Sequence, residues 1–114
     1  MECCDAKRKR IVKLYSFFED GGINPSSVYC AALQKFAEHE DTQAYVADLE
    51  NMHKVVLGVS DEVKLAFLSQ RLEGEHIDFV LWREQPENIL TALALRPYQK
   101  KVVRNLLIEY PLLN

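Results

Sequence analysis

A chain of 114 residues, 48% hydrophobic and 27% charged, can bury one core without disulfide or metal staples and has the composition of an ordinary globular domain. Its formal net charge of −3 excludes a uniformly basic nucleic-acid binder, although Lys7, Arg8, Lys9, Arg10 and Lys13 form one basic group and Arg96, Lys100, Lys101 and Arg104 another. Cys3, Cys4 and Cys30 match neither a disulfide framework nor a zinc spacing, and no apolar run approaches the roughly 18 residues of a membrane span. These features lead us to expect a reduced protein with no metal, no membrane partner and a cytoplasmic location. The basic, amphipathic residues 7–18 are compatible with a mitochondrial presequence, against which Glu2 and Asp5 count.

Residues 1–9 read as a loose, charged terminus and residues 10–114 as a single domain. Arg10–Phe18 carries Ile11, Val12, Leu14, Tyr15, Phe17 and Phe18, which predicts a strand buried on both faces. Glu19-Asp20-Gly21-Gly22 ends it. Asn24-Pro25-Ser26-Ser27 then offers a proline near a helix start and serine caps, and Val28, Ala32 and Phe36 mark a helix to about His39. Thr42 is placed to cap a second helix reaching Met52, with Tyr45, Val46, Leu49 and Met52 on one stripe. Lys54–Val59 is a β-branched strand. Ser60 should cap a third helix that has Asp61 and Glu62 in its first turn, Leu65, Leu68 and Leu72 on its buried stripe, and Gly74 at its end.

Ile77–Trp82 and Leu90–Leu95 read as the last two strands. A helix from about Tyr98 to Glu109 follows, presenting Val102, Val103, Leu106, Leu107 and Tyr110. Strand, two helices, strand, helix, two strands and helix imply a three-layer α/β/α sandwich with a mixed four-stranded sheet. The chemistry-bearing stretch is Leu81–Tyr98, where a proline-turned polar loop joins two apolar runs. By residue type, Gln85 and Asn88 suit hydrogen bonds to the polar groups of a ligand, and equally to the backbone of their own loop. Arg83 and Arg96 suit bidentate phosphate contacts, or a solvated face. Cys30 fits a small buried helix residue better than a nucleophile, because no histidine is placed to activate it.

Lys54-Val55-Val56-Leu57, Ser60-Asp61-Glu62, Ile77-Asp78, the run Leu81-Trp82-Arg83-Glu84-Gln85-Pro86-Glu87-Asn88-Ile89, and Ala94-Leu95-Arg96-Pro97-Tyr98 occur in this order. Together they resemble the C-terminal two-thirds of peptidyl-tRNA hydrolase type 2 domain-containing proteins. The likeness covers residues 42–110, including Ala44-Tyr45 and Asn51-Met52-His53-Lys54, and is looser over residues 10–40. It implies an α/β domain that hydrolyses the ester joining a peptide to the 3′ ribose of tRNA, with no metal or nucleotide cofactor. We expect a monomer or weak homodimer. The family's third-strand carboxylate falls on Glu84, and its first-helix cysteine on Cys30. The accompanying histidine falls on Ala31 or Ala32, and the lysine near Asn24 or Pro25, none of which transfers a proton. Three readings therefore stand side by side: a peptidyl-tRNA esterase, a tRNA-binding relative without catalysis, and a protein-interaction module on the same fold.

Overall fold

The computed structural model describes residues 11–19, 27–84 and 89–112. In chain order these form β1 (Leu14–Glu19), α1 (Ser27–Lys35), α2 (Glu40–Ala47), a 3₁₀ turn (Leu49–Asn51), β2 (Lys54–Val59), α3 (Glu62–Gly74), β3 (Phe79–Glu84), β4 (Ile89–Leu95) and α4 (Lys100–Glu109). The strands make one mixed sheet in the order β2-β1-β4-β3, with β1 parallel to β2 and β4 antiparallel to both of its neighbours.

The period-two side-chain alternation of a strand distributes β1 between two cores. Leu14 and Phe18 join Val28, Tyr29, Ala32, Tyr45, Ala92 and Ala94 beneath α1 and α2. Tyr15 and Phe17 join Leu57, Leu65, Leu68, Leu72, Leu93, Val103 and Leu106 beneath α3 and α4. The result is the expected three-layer sandwich, with β1 buried on both faces. Each large apolar side chain buried in this way contributes about 1.5–3 kcal/mol. Ser16, also fully buried on β1, shares a hydrogen bond with the Tyr29 hydroxyl (3.1 Å) and donates to the Val55 carbonyl (3.3 Å).

Several boundaries differ from the sequence reading, each for a local reason. The strand begins at Leu14 rather than Arg10. The first helix stops at Lys35 because a turn leads to His39, whose Nδ1 accepts the Asp41 amide at 3.0 Å and caps α2. Thr42, the expected cap, lies inside the helix and is buried. The chain breaks at Asp48 into the 3₁₀ turn, so Val46 and Met52 are exposed rather than on a common buried stripe. Asp61, not Ser60, caps α3 through the Lys64 amide at 2.9 Å, and Val102 faces solvent while Val103 and Leu106 are buried. Asp61→Ala should therefore lower stability by about 1 kcal/mol, read as a shift of the urea midpoint at constant m-value.

The tyrosines predict an alkaline limit to stability. Burial raises the pKa of Tyr15 and Tyr45, and of Tyr98 and Tyr110, above the ordinary value. Above about pH 10 the unfolded chain sheds phenolic protons that the folded chain retains, so unfolding releases protons and stability falls as pH rises. We expect the melting temperature to be insensitive to these groups below pH 9 and to drop between pH 10 and 11. Tyrosinate absorbance should appear together with unfolding rather than ahead of it.

Candidate active site

All four strands contribute to one end of the sheet. β1 ends there with Glu19 opposite Val59 of β2, and β3 ends with Glu84 opposite Ile89 of β4. The carboxyl ends of β1, β2 and β3 and the beginnings of α1 and α3 thus converge, the position where α/β sheets gather their ligands. Glu84 stands at this end and is half-buried. Its Oε1 accepts a long hydrogen bond of 3.3 Å from the indole Nε1 of Trp82. The two residues are two apart on β3 and so lie on the same face of the sheet, the face covered by α1 and α2.

Two features that the sequence reading did not assign a role shape this end. Glu62, read only as a first-turn acid of α3, accepts the Leu90 amide on Oε2 at 3.1 Å and so ties the start of β4 to α3. Thr91 is the additional residue of a β-bulge, since Ala92 pairs with Trp82 while Leu90 pairs with Arg83. The extra residue keeps Leu90 in the same core as Leu93 and increases the local twist beside Glu84. The Thr91 hydroxyl is buried there and has no hydrogen-bond partner. Thr91 interrupts an otherwise apolar run from Ile89 to Leu95, the one trace of the bulge visible in the sequence.

The expected site residues do not all meet. Gln85 and Asn88 lie outside the described residues, as do Asn24, Pro25 and the basic group Lys7–Arg10. Arg83 is exposed and, being adjacent to Glu84 on a strand, belongs to the opposite face of the sheet. Arg96 lies apart from this end. It lies seven residues beyond Ile89 along β4, roughly 20 Å from the Glu84 end at a strand rise of about 3.3 Å.

At that far end Arg96 is buried, and its guanidinium is committed to protein acceptors. Its Nε donates to Asp78 Oδ2, one terminal nitrogen donates to Asp41 Oδ2 and to the Pro97 carbonyl, all at 2.9 Å, and the group stacks 3.9 Å from the Tyr98 ring centroid. Burial by itself pulls the Arg96 pKa down, but hydrogen bonds to Asp78 and Asp41 outweigh it and leave the group firmly charged. Tyr98 closes the cluster by accepting the Asp78 amide at 2.7 Å. A phosphate would have to compete with two carboxylates for this guanidinium. The cluster clasps α2, β3 and the end of β4 together.

On α1, Cys30 is exposed rather than buried, and Ala31 and Ala32 occupy the positions aligned with the family's histidine. Ala31 lines a groove of about 640 Å³ between α1 and β3, together with Gln34, Lys35, Glu73 and Phe79 to Trp82. Among the described residues, no group of three or more His, Cys, Asp and Glu side chains is placed to hold a metal ion, and no helix is long and apolar enough to cross a membrane.

Comparison with known proteins gives the same lineage. Proteins named "Putative peptidyl-tRNA hydrolase PTRHD1" from Mus musculus and Homo sapiens are each 46% identical to this chain over 82 residues, covering 72% of it. The chain spans 59% of the length of these curated relatives. The family model described as "Peptidyl-tRNA hydrolase PTH2" matches residues 3–113, nearly the whole sequence, and the chain belongs to that family.

Proposed function

We propose that this protein hydrolyses the ester bond between a peptide and the 3′ oxygen of tRNA. Water adds to the ester carbonyl, the bond to the ribose oxygen breaks, and the products are a peptide carboxylic acid and a tRNA with a free 3′ hydroxyl. The observation that carries this reading is the placement of Glu84, a half-buried carboxylate at the carboxyl end of the sheet, on the face from which α1 begins. A carboxylate there can orient the attacking water and accept its proton. The first-turn amides of α1 have no acceptors within their own helix and point out of its N-terminus, which makes them suitable donors to a developing oxyanion. Gln85 and Asn88, which follow Glu84 in the sequence, would contact substrate amides or ribose hydroxyls.

Turnover of a peptidyl-tRNA mimic by the wild-type chain and by Glu84→Gln tests this reading. A wild-type rate equal to the uncatalysed background would remove it.

The alanines at 31 and 32 favour a second reading, in which the chain binds tRNA without hydrolysing it, because α1 then carries no histidine at the aligned positions. For this reading the affinity for tRNA should fall steeply with salt as phosphate contacts release counterions. A log–log slope near zero would eliminate it.

A further inference from the structure

The two edges of the sheet are treated differently. Along β2 the chain covers its own edge: the Gly58 amide donates to the Pro111 carbonyl at 2.8 Å, and Leu57 forms a bridge with Leu112. At β3 no strand follows beyond the edge among the described residues. The backbone direction along β3 can be read from one bond. The Arg96 amide donates to the Asp78 carbonyl at 3.1 Å, so Asp78 faces β4. By the alternation of an antiparallel pair, the amides and carbonyls of Phe79 and Leu81 then face away from β4, toward the open edge.

A groove accompanies this edge. Phe79 to Trp82 form one side and Ala31, Gln34 and Lys35 of α1 the other, and the groove leads along the strand toward Trp82 and the Glu84 end. A second depression of about 520 Å³ shares Lys35, Glu73 and Phe79 with it and extends it past Asp78 at the opposite end. The apolar side chains are not closed over, and Leu81 remains 39% exposed.

We infer that the open edge of β3, with the groove beside it, binds the peptide part of an ester substrate as an added strand through main-chain hydrogen bonds. This rests on the hydrolase reading above, which fixes the polarity: the ester lies at Glu84 and the peptide extends back toward Phe79, parallel to β3. The six residues of β3 span roughly 20 Å, enough for five or six peptide residues. The chemistry suits the substrate class. Peptides attached to tRNA differ in every side chain, and only the main chain is common to them. Strand addition reads the main chain, whereas a pocketed site would select particular side chains. Glu73 and Asp78 at the far end would face the amino-terminal side of the peptide.

The test uses the full chain and a fluorescent N-acetylated pentapeptide joined through an amide to 3′-amino-3′-deoxyadenosine, with binding read by fluorescence polarisation. Shuffling the five side chains should change Kd less than about threefold. N-methylation at alternate peptide amides should weaken binding about five- to tenfold for one parity and little for the other, as loss of single hydrogen bonds predicts. Leu81→Pro removes an outward amide without taking a bond from the β4 ladder, and edge strands tolerate proline. It should weaken binding by a similar factor with an unchanged circular dichroism spectrum.

Absence of binding by the unmodified probe, equal effects of both parities, or an affinity that follows side-chain identity would each overturn the inference. So would a dimer that buries β3 against a second copy. The corresponding ester measured in parallel separates the two layers of argument. Ester turnover without sensitivity to N-methylation overturns strand addition alone. Alternating sensitivity without ester turnover overturns the hydrolase reading and leaves strand addition as the mode of peptide recognition.

Discussion

Glu84→Gln should lower the turnover of a peptidyl-tRNA mimic by a factor of about 10² to 10⁴, the range over which a positioned general base contributes. Glutamine keeps the length and the acceptor oxygen of the side chain, so Trp82 Nε1 retains a partner and the fold should be unaffected. What it loses is the ability to accept a proton from water. The expected signature is therefore a fall in kcat with KM and melting temperature nearly unchanged, because under the proposed mechanism the carboxylate acts in the transition state rather than in ground-state binding. Glu84→Asp adds a second measure. It keeps the charge but withdraws it by about 1.5 Å, one carbon–carbon bond length along the side chain, and a smaller loss than for glutamine would show that proton transfer matters more than position. A Glu84→Gln variant as active as wild type would move the catalytic carboxylate elsewhere.

The largest effect on stability should come from Arg96, at the other end of the same hairpin. Arg96→Met removes the guanidinium from Asp41, which is only 7% exposed, and from Asp78. Breaking a buried ion pair from one side costs about 3–5 kcal/mol, since the carboxylate loses the buried guanidinium that faces it. For a domain of this size that corresponds to a melting temperature lower by roughly 10–20 °C. Adding Asp41→Leu should recover at least half of the loss, because a well-packed apolar pair avoids the desolvation penalty of both ions. If Arg96→Met melted within a few degrees of wild type while tRNA binding was lost, the side chain would belong to a phosphate site after all. Arg96→Lys should resemble Arg96→Met, because an ammonium cannot reach two carboxylates and a carbonyl from one planar group.

These two residues show how far the sequence carried. The strands and helices were legible because their signals are local. A dense apolar run marks β1 as buried on both faces, a β-branched run marks β2, and Leu65, Leu68 and Leu72 mark the buried face of α3. That information is enough to order the elements and to specify three layers. The run from Trp82 to Ile89 also pointed to the lineage that the family match shows.

The caps were less legible than the elements. Ser60 and Thr42 are as good a pair of cap residues as Asp61 and His39 by type, and only the backbone path decides which side chain meets the free amides. The bulge at Thr91 was similarly hidden, since one threonine in an apolar strand has no signature distinct from an ordinary strand residue.

What the sequence could not supply was which distant residues meet. Arg96 is only 12 positions from Glu84, and proximity in the chain suggested one polar site. The two strands of a hairpin place such residues at opposite ends when one lies next to the turn and the other well beyond it. Asp41 lies 55 positions from Arg96 and Asp78 lies 18, and no local pattern links either to it. The carboxylate proposed for catalysis was thus legible at a strand end. The pairing of Arg96 with Asp41 and Asp78, and the place of β3 at the sheet's edge among the described residues, were decided by sheet order and by the packing of α2 against the sheet, because burial and charge pairing are properties of the folded chain.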